Sequence, residues 1–381
     1  MSGFEYKIYS SIEDIGEEEW DSVFGDIPEN YLFYRTLERS RLPGFVFYYL
    51  VARQGEEAVF IAPVFTSDFN LGIAVESSFS SIIAFVRKFI PRFLISKVLF
   101  CGSPFGEYGI LGVKEGFAPG SEFVLRFLKE LEGLATETGS PIVIFKDFLE
   151  KETVFLDKLK KAGFTRVSSF PAVCLNLDFP SFDDYLKSLG RSTRKGLNRK
   201  LKQAYGRGDI EVKVVSDISA CIERIVSLYE STYRRGATKF EHLSREFFLR
   251  ASSEMGEHSR FFLYYVNGSL SAFNLCFLYK DLLIDKFIGF DYDISDYYNL
   301  YFVSWVYNIR WCIDNSVRLY YPGQTDYEPK IRLGGILVPL YAYFRHRNLF
   351  LDLLFKLLAL FLKPGNFGPK NGKGKACPQK R

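Results

Sequence analysis

Residues 45–65 read FVFYYLVARQGEEAVFIAPVF, and residues 261–278 read FFLYYVNGSLSAFNLCFL. Each stretch has an aromatic, apolar run, a small polar turn containing glycine, and an apolar return. β-Branched and aromatic residues on both sides of a glycine turn predict a β-hairpin. Working outward, the surroundings also match. Helical patterns at 17–24 and 29–39 precede the first hairpin, and 218–233 and 244–254 precede the second. Further strand, helix and strand patterns follow each one: 121–138 and 141–148 after the first, 282–292, 299–314 and 317–321 after the second. The chain therefore reads as an internal repeat of one α/β unit, and 381 residues suit two such units better than one large domain. The expected fold class is α/β (α+β), with mixed sheets flanked by helices. The expected boundaries are residues 1–169, 170–345 and a tail at 346–381. A strand at 336–344 is expected to close the second unit, and a helix capped by Ser181 is expected to run on towards Lys202.

Composition narrows the functional classes. Aromatic residues reach 17%, which favours sheet-rich cores and aromatic-lined clefts. The six cysteines are scattered and read as buried, reduced thiols, and the three histidines share no close spacing with them. Zinc and Cys-His nucleophile chemistry therefore have no local motif to rest on, and no metal site is expected. The N-terminus lacks a basic segment followed by an apolar run, so the cytoplasm is the expected location.

Three segments carry chemistry-bearing residues. The first, KSLGRSTRKGLNRKLKQAYGR at 187–207, has eight basic residues and no acid. At helical spacing Arg191, Arg194, Lys195 and Arg199 crowd like charges, which suits either an anionic partner bearing phosphates or a solvated basic face. The second, IDKFIGFDYDISDYYNLYF at 284–302, takes Asp285, Asp291 and Tyr292 from a strand into a loop before a helix that opens near Asn299. A strand end feeding a helix N-terminus is a common ligand position. The third, YYPGQTDYEPKIRLG at 320–334, is read as a polar loop between apolar strands. It offers Gln324, Tyr327, Glu328 and Lys330 to a cleft mouth.

In their order and spacing, these segments resemble the tandem GNAT-fold N-acyltransferases of the Fem type and their relatives with a BioF2-like acetyltransferase domain. Three local matches carry the resemblance. The basic helix supplies Ser188, Arg191, Ser192, Arg194, Lys195, Asn198 and Arg199. The strand and helix supply Gly289, Asp291, Tyr292 and Asn299, and the turn supplies Pro322, Gly323, Tyr327, Lys330 and Gly334. The likeness implies two tandem GNAT-like acyltransferase domains, and an amine that attacks a thioester or ester carbonyl in a cleft between splayed strands. It makes Asp285, Asp291 and Glu328 candidate proton acceptors, and Tyr292, Tyr321 and Tyr327 candidate proton donors. Backbone N–H groups near Phe287 to Phe290 would meet the oxyanion. Lys330 would hold an acceptor carboxylate or a donor phosphate. Arg191, Arg194, Lys195, Arg199, Asn299 and Gln324 would bind the donor.

No permanently bound cofactor is implied; the donor would be acyl-CoA, acyl carrier protein or aminoacyl-tRNA. The acceptor would be an amine-bearing small molecule or a cell-envelope precursor. Coenzyme A-dependent GNAT enzymes usually place a glycine-rich loop before the central helix, whereas residues 293–299 contain no glycine. A non-catalytic module that binds an anionic glycan or lipid precursor, or tRNA, is the alternative.

The tail begins with NLFLDLLFKLLALFL at 348–362, apolar around the helix apart from Asp352 and Lys356. Nine Lys or Arg follow from Arg345 onward against one acid. An apolar helix too short to span a bilayer and bounded by positive charge predicts either an in-plane helix at an anionic membrane, at the inner face of the plasma membrane, or a helix packed on the body.

Overall fold

The computed structural model describes residues 3–71, 85–90, 92–236, 240–324 and 326–361. The chain forms two compact units. One gathers the segments up to Glu38, Pro43–Pro171 and the chain that follows Pro339; the other holds Arg39–Leu42 and Ala172–Val338.

The first unit is built on one sheet. Its strands are β1 (Phe4–Tyr9), β2 (Val46–Gln54), β3 (Glu57–Asn70), β4 (Ile95–Cys101), the short β5 (Gly112–Val113), β6 (Ile142–Leu149) and β7 (Thr165–Ser168). The second sheet comprises β8 (Ala172–Asn176), β9 (Ile210–Val215), β10 (Ser259–Val266), β11 (Ser269–Tyr279), β12 (Leu282–Phe290), β13 (Leu319–Tyr321) and β14 (Ile336–Val338). A last strand, β15 (Leu340–His346), returns to the first sheet.

Strand order shows the repeat. The first sheet runs β1-β2-β3-β4-β6-β15-β7, with β5 on β3; the second, read from its other edge, runs β9-β10-β11-β12-β13-β8-β14. Each begins with an antiparallel run and reaches one parallel pair, β4–β6 or β12–β13. β8 and β15 hold matching places in the two orders, and β15, which follows the strands of the second sheet in the chain, lies in the first sheet. The stretch expected as one strand at 336–344 is consequently two strands in two sheets, interrupted at Pro339, which has no N–H to donate to a ladder.

Both hairpins form as expected. Gly55 takes positive φ in the two-residue turn of β2–β3, and Asn267 and Gly268 both take positive φ in that of β10–β11. A parallel neighbour requires a crossover, and helices provide it. Helix α1 (Glu17–Phe24), α2 (Tyr31–Arg39) and α3 (Ser121–Glu137) belong to the first unit, with α3 connecting towards β6 and burying Phe123, Phe127 and Leu131 in the core. In the second unit lie α4 (Phe182–Ser188), α5 (Arg191–Arg207), α6 (Ile222–Arg235), α7 (Arg245–Glu254), α8 (Leu300–Asp314) and α9 (Tyr327–Arg332); α10 (Leu349–Phe361) follows β15.

Three expectations change. Ser181 caps α4 by accepting from Asp184 N, but the helix ends at Ser188 and a new one starts after Gly190, because Leu189 is extended. The segment 320–334 is not wholly a loop, since α9 occupies its middle; Thr325 lies outside the described residues. Cys101, Cys221, Cys276 and Cys312 are free thiols, whereas Cys174 is disulfide-bonded, against the expectation of six reduced thiols. The expected basic end of the tail, residues 370–381, lies outside the described residues.

Candidate active site of the second unit

The site starts from a local defect in the sheet. Strands β12 and β13 pair in parallel only from Leu282↔Leu319 to Ile284↔Tyr321. Beyond that point β13 ends and the chain turns through Pro322 and Gly323, whose φ is +78°. Strand β12 continues to Phe290, still paired with β11. One edge of β12 is thus released from its parallel neighbour from Asp285 onward. At the same point Cys276 faces Asp285 and Leu275 faces Phe287, so Lys286 is an extra residue in β12. This bulge shifts the alternation of side chains and adds local twist.

Asp285 marks the divergence. It is buried, at 8% exposure, beneath α8. Asn274 on β11 donates to both carboxylate oxygens at 2.8 Å, Tyr320 on β13 donates to Oδ2 at 2.7 Å, and Asn308 on α8 donates to Oδ2 at 3.2 Å. Tyr264 on β10 donates to Asn308 Oδ1 at 2.5 Å and so orients that amide. Burial raises the pKa of Asp285 above the usual carboxylate range; the hydrogen bonds and the positive charge of Lys330 oppose this without cancelling it. Burial also pushes the phenols of Tyr320 and Tyr264 well above their ordinary range, and the negative charge of Asp285 adds to both.

Lys330 on α9 is only 3% exposed. Its Nζ donates to Gly323 O at 3.0 Å and lies 5.7 Å from the centre of the Trp305 ring. A buried ammonium is costly unless it is compensated, and here a carbonyl, an aromatic face and the field of Asp285 surround it. The turn after β13 therefore folds back to bring a cation to the opening beside a buried acid.

The remaining expected residues are placed as follows. Gln324 is half-buried in the same turn, and Tyr327 packs on the core at the start of α9. Glu328 is exposed and paired with Arg332. It stands two residues from Lys330, about 200° around a helix, and so faces away from it. Asp291 pairs with Arg224 at 2.6 Å, and Tyr292 lies under the Arg235 guanidinium at 4.1 Å. The structure thus brings Asp285 and Lys330 together and gives Asp291, Tyr292 and Glu328 other partners. Among the expected oxyanion donors, the Phe290 N–H already donates to Thr232 Oγ1 on α6 at 3.1 Å.

The turn before α8 matters for an anionic donor. Asp293 N donates to Asp291 Oδ1; Ile294 and Ser295 N donate to Asp291 O; Tyr298, Asn299 and Leu300 N donate to Ile294, Asp296 and Ser295 carbonyls. Asn299 caps the helix in a left-handed conformation, φ +50°, without a side-chain cap. These amides satisfy one another and are not arranged as a phosphate cradle.

On α5, Arg191, Lys195 and Arg199 are exposed, with only Leu197 and Ala204 buried. Arg194 instead donates to the Leu186 and Lys187 carbonyls at the end of α4, and Lys200 sits 3.1 Å from the Phe302 ring centre on α8. Asn274, Asn308, Tyr264, Tyr320 and Trp305 were not singled out from sequence. The available signal was polar residues inside largely apolar elements: Asn274 in LSAFNLCFL and Asn308 among the apolar and aromatic residues of LYFVSWVYNIRWCID. Tyr321, an expected proton donor, points to the other face of β13 from Tyr320, as alternation along a strand requires.

The FemAB-like family model, described as peptidoglycan biosynthesis/recognition, matches residues 11–349. The chain belongs to the FemAB-like family. Solved structures agree on the fold of this FemAB-like chain. FemX is 12% identical, covering 93% of this chain and all of FemX with a TM-score of 0.56. A tandem GNAT protein from the clavulanic acid biosynthesis pathway is 11% identical, covering 91% of this chain and 99% of that one, TM-score 0.53. L-PGS from Bacillus licheniformis is 10% identical, covering 89% and 98%, TM-score 0.52. At such identity these likenesses establish the architecture, two tandem GNAT-like units with mixed sheets. No curated protein matches the chain.

Proposed function

We propose that this FemAB-like protein is an N-acyltransferase that passes an acyl or aminoacyl group from a thioester or ester donor to the amine of a cell-envelope or lipid precursor. The observation that carries the reading is the divergence of β12 from β13 at a buried Asp285, with the buried ammonium of Lys330 beside it. In the reaction the amine nitrogen forms a bond to the acyl carbon, the carbon–sulfur or carbon–oxygen bond breaks, and the amine proton must leave. A carboxylate whose pKa is raised by burial is a stronger proton acceptor than an exposed one, and that role is assigned to Asp285, where β12 leaves β13. Lys330 supplies positive charge for an anionic group of the donor or acceptor.

On the donor side, the engaged amides before α8 and the acidic residues there disfavour a coenzyme A pyrophosphate at that turn, while exposed Arg191, Lys195 and Arg199 suit a polyanion. We therefore favour aminoacyl-tRNA or acyl carrier protein as donor. One observation supports the rival reading of a binding module without turnover: the Asp285 carboxylate already accepts four hydrogen bonds within the fold. The deciding experiment offers the purified chain labelled acyl-CoA, acylated carrier protein and charged tRNA together with amine-bearing envelope precursors. Label transfer that disappears in Lys330→Ala supports the enzyme. Precursor binding without consumption of any donor supports the module.

A further inference from the structure

Two segments of the first unit expose large apolar side chains beside basic ones. Residues 85–97 read FVRKFIPRFLISK, four basic residues and no acid. Phe85, Phe89 and Ile90 are 60%, 73% and 56% exposed, and Lys88, Arg92 and Lys97 are exposed among them. The second segment is α10. Its inner side is fixed: Asp352 is buried, accepts from His346 N at 2.8 Å and pairs with Lys356 at 2.6 Å, while Phe355 lies against the His346 ring. The other side carries Leu349, Phe350, Leu353, Leu354 and Leu357 outward, from 41% to 79% exposed. Spacings of three and four place these on one helix face.

The sheet brings the two segments to the same end. Strand β6 has β4 on one side and β15 on the other, and both Val98 and His346 pair with Ile142 at its start. Residues 92–94 lead into β4, whose first residues Ile95–Lys97 lie just beyond that rung, and Arg347 N donates to Pro141 O just before α10 begins. Arg87 further ties the first segment to this end by donating to Oδ1 of Asn70, the last residue of β3, at 2.5 Å, and Arg92 by pairing with Asp68 near that strand end. The apolar side chains of both segments therefore crown one end of one sheet, ringed by Lys88, Arg92, Lys97 and Arg347.

We propose that this end of the first unit is a docking surface for an anionic phospholipid bilayer, with α10 lying in the interface plane. An apolar face rimmed by cations matches the acyl boundary and charged headgroups of such a bilayer. A second copy of the chain is a poorer occupant, because self-association through this face would bring two basic rims together. Among the described residues no helix is long and apolar enough to cross a membrane.

The full chain is sedimented with vesicles of phosphatidylcholine and with vesicles that also contain phosphatidylglycerol. The expected result is binding to the anionic vesicles alone, weakened by salt, and reduced about tenfold or more by Leu353→Glu and separately by Phe89→Glu, with unchanged circular dichroism and melting temperature. These positions are exposed, so the variants keep the packed side intact. Absence of binding to anionic vesicles, or binding unaffected by both variants, overturns the proposal. So does a concentration-dependent dimer that Leu353→Glu dissociates without any vesicle binding by the parent chain.

Discussion

Tyr320 Oη donates to Asp285 Oδ2 at 2.7 Å, linking two strands where their parallel pairing ends. Three elements meet at that carboxylate, since Asn274 and Asn308 reach it from β11 and α8. The opening in the sheet and its most polar buried group are therefore one feature. Removing the hydroxyl by Tyr320→Phe withdraws one donor from a buried acid. Urea denaturation should show a loss of about 1–3 kcal/mol.

Lys330→Ala is expected to lower kcat/KM for acyl transfer about a hundredfold or more, because a preformed cation at the opening is lost. Lys330→Arg should recover only part, since a planar guanidinium does not occupy the space of an ammonium against Gly323. Equal activity of Lys330→Ala and the parent chain in the labelled-donor assay would remove α9 from the reaction.

Burial raises the pKa of Asp285, and this gives stability a pH signature. With the folded pKa above the unfolded one, its contribution to stability is fully present below the ordinary carboxylate pKa. It is lost as pH rises through the raised folded value and stays constant above it. Asp285→Asn should flatten that fall in denaturation midpoints measured across the window. The difference between the two chains isolates Asp285 from other raised carboxylates such as Glu38.

Gly289 lets α6 approach β12. A Cβ there would stand 2.8 Å from the Leu228 carbonyl carbon and the Tyr229 nitrogen, which are backbone atoms that cannot swing aside. Gly289→Ala should therefore destabilise the chain by about 1–3 kcal/mol in thermal or urea unfolding. A neutral result would mean that the helix is free to shift outward.

Arginines on α5 should separate by role. Arg199→Ala should weaken binding of an anionic donor and lower the dependence of log K on log salt by about one unit, with little effect on stability. Arg194→Ala should instead lower the melting temperature, because Arg194 holds the last carbonyls of α4. Salt titrations of tRNA or acyl carrier protein binding, alongside melting curves, distinguish the two.

Much of this was legible from local chemistry. Alternating apolar runs around Gly55 and Asn267-Gly268 determine the two hairpins, and their similar surroundings determine the repeat, because hairpin register depends on neighbours in sequence. The segments holding Asp285 and Lys330 stood out locally, as polar residues gathered at the ends of apolar strands, and the family resemblance supplied the roles of these two residues. The sequence could not decide that Pro339 divides one apolar run between two sheets, since strand exchange depends on partners far away in the chain. Nor could it tell Asp285 from Asp291, or Tyr320 from Tyr321. The choice was made by the bulge at Lys286, the end of β13 and the placement of α8, which together bury one carboxylate under four hydrogen bonds and leave the other paired with Arg224.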